Sequence, residues 1–108
     1  MGSVSGPLSP QDKKMYEQEY GHSVDLFQRA LDEYNKSDNP YQKAEFKDVM
    51  DQAKEILNQT AHSLMRKELE EQSAKIAKDY ATFEKYPGDP DTIDKLKKDL
   101  DQAKKSVE

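Results

Sequence analysis

Three prolines, each directly after a residue that caps helices, set the frame of this chain: Ser9-Pro10, Asn39-Pro40 and Asp89-Pro90. A Ser, Asn or Asp side chain at the N-cap accepts a hydrogen bond from a free backbone N–H of the first turn. Proline at the first helical position lacks only an N–H that would be unbonded anyway, and its φ is already helical. Each pair precedes an apolar pattern of helical period, so three helical segments are predicted, over about 10–35, 40–86 and 91–107. Asn39 with Gln42 at N3 approximates a capping box. The expected class is all-α, an antiparallel helical bundle.

The apolar stripes fill in that frame. The first segment carries Tyr16, Tyr20, Val24, Phe27, Leu31 and Tyr34, interrupted by Gly21 at a cost of roughly 1 kcal/mol relative to Ala. The last carries Ile93, Leu96, Leu100, Ala103 and Val107, a heptad-like coiled-coil seam. The middle segment has two stripes. Phe46, Met50, Ala53, Leu57 and Leu64 form one, and Leu69, Ser73, Ile76, Tyr80 and Phe83 form the other. On a helical wheel they face largely opposite ways.

Two architectures follow. The middle segment holds no Gly or Pro between Tyr41 and Tyr86, which favours one helix roughly 70 Å long, continuous or kinked near 58–68. The alternative is a four-helix bundle with a break there, where Asn58-Gln59-Thr60-Ala61-His62-Ser63 is polar and helix-weak. The rod would leave apolar surface uncovered, and such surface is normally buried against another chain.

Composition agrees with lean helices. Hydrophobic residues make up 33% and charged residues 36% of the 108 residues, yet the apolar ones are periodic, which argues against disorder. Residues 1–8 are small and uncharged and read as a disordered tail, leaving 9–108 as a single helical domain. The net charge of −5 and the lack of any basic block disfavour nucleic acid and membrane surfaces as partners. No apolar run approaches the length of a membrane span. The expected location is the cytoplasm, or outside it with an export signal removed.

Candidate chemistry is sparse. With no cysteine, disulfides, thiol catalysis and Cys-ligated zinc drop out. Glu19 and His22 form an E-x-x-H, half of the motif by which carboxylate-bridged bundles hold two metals, but His62 has Gln59 at the matching offset. His22-Ser23 has no third group to orient a base. No glycine pattern fits a phosphate loop. Glu68, Glu70 and Glu71 and the group Lys95, Lys97, Lys98 read as solvated faces with i,i+4 pairs such as Glu71–Lys75 and Asp101–Lys105. Tyr16, Tyr20, Tyr34 and Tyr80 read as core with hydroxyls reaching water. Two N-x-[ST] sequons, at Asn35 and Asn58, matter only in a glycosylating pathway.

These observations predict a non-enzymatic helical interaction module, an adaptor, chaperone or assembly subunit, with no cofactor or metal. It would bind another protein or pair with itself as a homodimer through apolar seams. The expected contact residues are Leu69, Ile76, Tyr80, Phe83, Ile93, Leu96 and Leu100. The competing expectations are a metal-binding four-helix bundle using Glu19 and His22, and a structural domain of a larger exported protein.

Overall fold

In a computed structural model that describes residues 9–107, each cap–proline pair starts a helix: α1 spans Pro10–Lys36, α2 Pro40–Leu64, and α4 Pro90–Ser106. The tail expected over residues 1–8 lies outside the described residues. Ser9 Oγ accepts from the Asp12 amide, and Asn39 Oδ1 accepts from Tyr41 and Gln42. Asp89 works differently. Its carboxylate takes the Thr92 hydroxyl at 2.7 Å, and no side-chain bond reaches the backbone. The Gln42 side chain does not close a capping box on Asn39. Ser37 stands between them, donating to Gln42 Oε1 and accepting from the Asn39 amide.

The favoured reading of residues 40–86 as one helix is wrong. The chain turns at Met65 and Arg66, and α3 begins anew over Lys67–Lys85. The reversal falls inside the 58–68 window, and the alternative four-helix bundle is what forms. Met65 adopts φ 56°, ψ 31°, a left-handed conformation costing a non-glycine residue roughly 1–2 kcal/mol. Burying one large apolar side chain contributes about 1.5–3 kcal/mol. The turn lets Leu69, Ile76, Tyr80 and Phe83 face the core that Met50, Ala53 and Leu57 already face, and all seven are at most 1% exposed. Four such side chains outweigh one strained residue. The polar stretch before the turn stays helical, and within it the buried Thr60 hydroxyl is satisfied by donating to the Ile56 carbonyl at 2.7 Å.

The helices form a ring. α1 packs on α2 and α4, and α3 packs on α2 and α4, and across the ring α1 and α3 meet through side chains such as Phe27 and Tyr80. The described residues measure 52 × 24 × 22 Å. At the centre Phe27 and Tyr80 meet edge to face, their centroids 5.3 Å apart, and Phe83 stacks on Tyr80. The buried tyrosine hydroxyls reach other helices, not water. Tyr20 Oη donates to the Leu69 carbonyl and accepts from Ser73, while Tyr80 Oη donates to Asp51. Burial pushes both phenols above their ordinary range, with Asp51 adding to the rise at Tyr80.

Gly21 is buried where α1 meets the end of α4. A Cβ there would sit 3.4 Å from Val107 Cγ2, an ordinary contact with a residue near the chain end. Gly21→Ala is expected to stabilise the bundle by roughly 0.5–1 kcal/mol through helix propensity, read as a higher midpoint in thermal or urea melts. A lower midpoint would show that α1 and α4 need the missing side chain.

Candidate functional site

Along the face shared by α3 and α4, the two helices repeat one pattern. Ile76, Asp79, Tyr80 and Phe83 occupy positions i, i+3, i+4 and i+7 of α3, and Leu96, Asp99, Leu100 and Ala103 do so on α4. Residues so spaced share a helix face, so the packing that buries the apolar members also carries both aspartates inward. Asp79 is 5% exposed and Asp99 7%. Their carboxyl groups face each other across the antiparallel pair.

Each carboxylate is partly answered from the opposite helix. Lys75 on α3 lies 3.3 Å from Asp99, and Lys95 on α4 lies 3.7 Å from Asp79. Both ammonium groups sit on side chains more than 60% exposed, so they are weak partners for buried charge. These pairs also correct an expectation. Lys75 bridges to the neighbouring helix and not to Glu71, and Asp101 accepts from Gln28 on α1 at 2.8 Å, not from Lys105. Lys97 likewise reaches Asp32 on α1.

The second oxygens are left over. Asp79 Oδ2, Asp99 Oδ2 and Gln72 Oε1 are the buried side-chain polar atoms without a hydrogen-bond partner among the described residues. All three lie between α3 and α4, and all three are acceptors. Gln72 spends its amide nitrogen on Ser106 Oγ at 2.7 Å. Beside them runs an open groove of about 550 Å3, walled by Glu68, Glu71, Lys75, Lys98 and Gln102 with Gln72 and Asp99 along it. Burial drives the Asp99 carboxyl up to about 6, the facing Asp79 adds to the rise, and Lys75 opposes it. Below that pH the proton on Asp99 is placed to bond Asp79.

Of the seven residues expected to contact a partner, Leu69, Ile76, Tyr80, Phe83, Leu96 and Leu100 lie within the bundle's own core, at most 1% exposed. Ile93 is half-buried and lines a smaller pocket of about 360 Å3 with Tyr34, Lys43, Pro87 and Pro90 at the opposite end of α4 from Ser106. Glu19 and His22 are both exposed on α1. His62 is 4.0 Å from Glu70. The described residues hold no group of three or more His, Cys, Asp or Glu placed to grip a metal. No helix among them is long and apolar enough to cross a membrane. Among the described residues, the large exposed apolar side chains lie at the two ends: Met15 and Met65 at one, Tyr41 and Tyr86 at the other.

No family model, curated protein or solved structure matches the chain.

The raised pKa of Asp99 has a stability consequence with a definite sign. Between its unfolded value near 3.8 and its folded value of about 6, the folded protein binds more protons than the unfolded one. This group's contribution is therefore fully present below about pH 3.8 and lost as pH rises through 6. Asp99→Asn, whose amide donates to Asp79 at any pH, is expected to raise stability at pH 7.5 by about 1 kcal/mol. It should also flatten the pH dependence of urea midpoints between pH 4 and 6.5. A variant less stable than the parent at pH 7.5 would contradict this.

Proposed function

We propose that the protein is a non-enzymatic interaction module that receives a basic segment of a protein partner in the α3–α4 groove. One observation carries this reading. The buried polar atoms left unsatisfied among the described residues are three acceptors on one face, and none is a donor. A buried acceptor without a partner costs about 1–3 kcal/mol, a cost that a donor brought from outside would remove. A ligand that suits this face brings hydrogen-bond donors and positive charge, as an Arg or Lys side chain does. An extended or helical segment laid along the groove would place such a side chain over Asp99 and Gln72, with Glu68 and Glu71 on the rim. Its cation would take the place of the exposed Lys75 on Asp99 while Lys98 turns out to solvent.

The apolar seams between helices serve the bundle's interior, so the recognition proposed here is polar and charge-assisted. It would be weakened by salt and would strengthen as pH rises through about 6, because the incoming cation displaces the proton on Asp99. The net charge of −5 favours approach of a basic partner.

A displayed library of random twelve-residue peptides, selected against the purified protein, tests the reading. Binders should be enriched in Arg and Lys, and Asp99→Asn should weaken them at least about tenfold. Glu45→Gln, on an exposed part of α2 away from the groove, should leave them unchanged. Binders without basic residues, or binders indifferent to Asp99, would overturn it.

A further inference from the structure

Of the three junctions between helices, two cannot straighten. Pro40 and Pro90 stand at the first helical position of α2 and α4, and within a continuous helix each would lose a hydrogen bond and clash with the preceding turn. The α2–α3 junction has no such block. It consists of Met65 and Arg66, with no Gly or Pro from Tyr41 to Tyr86. Its backbone is held in two helix-incompatible states, left-handed at Met65 and extended at Arg66. The start of α3, like that of α4, has no side-chain cap bond, and it also lacks the proline that marks the other three starts. Arg66 stands at its N-cap and provides no side-chain hydrogen bond, whereas Ser9 and Asn39 cap the starts of α1 and α2.

We propose that two copies of this chain exchange their α3–α4 hairpins, each straightening at Met65–Arg66 into one helix over residues 40–85. The occupant of the surface exposed on opening is thus a second copy of the same chain. Straightening relieves the left-handed residue and lets the free carbonyls ending α2 bond the free amides starting α3. The interactions that opening breaks, between α1 and α4 and between α2 and α3, form again from one chain to the other. They include Asp25 with Lys104, Gln28 with Asp101, Lys97 with Asp32, Lys47 with Glu84, and the Tyr80 hydroxyl on Asp51, and the α1–α3 contacts of Tyr20 and Phe27 re-form with them. The pairs α1–α2 and α3–α4, joined by the proline-blocked turns, travel as units.

Opposing this is a latch at the hinge. Arg66 lies 3.1 Å from Glu17 on α1 and donates to the Ser106 carbonyl of α4 at 3.3 Å, fastening the turn to both helices that must part. These are half-exposed pairings worth little individually. The loss of translational freedom on pairing favours the closed monomer when dilute, so exchange is a concentration-driven equilibrium. It leaves the α3–α4 groove within one chain and does not depend on the binding reading above.

The absence of native cysteines allows a direct test. Gln28→Cys with Asp101→Cys puts one thiol on α1 and one on α4, where the native side chains touch. Protein refolded at millimolar concentration, then oxidised, should run as a covalent dimer on a non-reducing denaturing gel. The same protein refolded at micromolar concentration should run as a monomer. Light scattering after size exclusion should show Met65→Gly lowering the dimer association constant at least about tenfold, because glycine accepts the left-handed turn and disfavours helix. Arg66→Ala should raise it. Monomer alone at millimolar concentration, a dimer whose disulfides stay within chains, or a dimer indifferent to Met65→Gly would each overturn the proposal.

Discussion

The two apolar stripes of residues 40–85 face opposite ways along one helical path, and they can share a core only if the backbone reverses between them. That reversal, at Met65 and Arg66, governs the rest of the molecule. With it, Tyr80 comes against Phe27 and Lys47, Tyr20 reaches Leu69 and Ser73, and the ring of four helices closes. Without it, α1 and α4 would each cover one end of a rod, and Phe83 could not lie near Tyr34 while Lys47 pairs with Glu84. One residue in a left-handed conformation sets this balance against several buried aromatic and aliphatic side chains.

The same packing produces the polar face. On α3 and α4 the core stripe is wide enough to carry an aspartate at its i+3 position, so burying Ile76 and Leu96 also buries Asp79 and Asp99. The resulting pair is strained electrostatically: burial holds the Asp99 carboxyl up at about 6 while Lys75 and Lys95 compensate from solvent. Apolar residues there would have served stability better. The unanswered acceptors and the adjoining groove make this the part of the surface where a ligand has most to satisfy.

Much of this architecture is legible in the residues themselves. The cap–proline pairs mark three helix starts because Pro10, Pro40 and Pro90 have almost no other place near a helix. The stripes identify the core, since Val24, Phe27, Leu57, Ile76 and Leu100 all lie where a 3.6-residue period puts them. The fourth start is hidden because Met65 and Arg66 are ordinary helix formers; a turn made by a left-handed methionine has no local signature, and only the mismatch between stripes points to it. The polar site is harder still. Asp79 and Asp99 are two of many acidic residues, and their distinction is the shared spacing of apolar, Asp, apolar and apolar at i, i+3, i+4 and i+7. That spacing shows which face they occupy, but not that the two would meet across a particular pair of helices.

Closure at the hinge is most directly read as a distance. Tyr41 and Tyr86 are exposed at the start of α2 and just beyond α3, so spin labels on cysteines placed there report the angle between the two helices. In dilute protein the bundle requires a separation within its 24 Å width, allowing for the label arms. A dominant separation near 70 Å, roughly the length of an unbroken helix over those residues, would contradict the single-chain bundle.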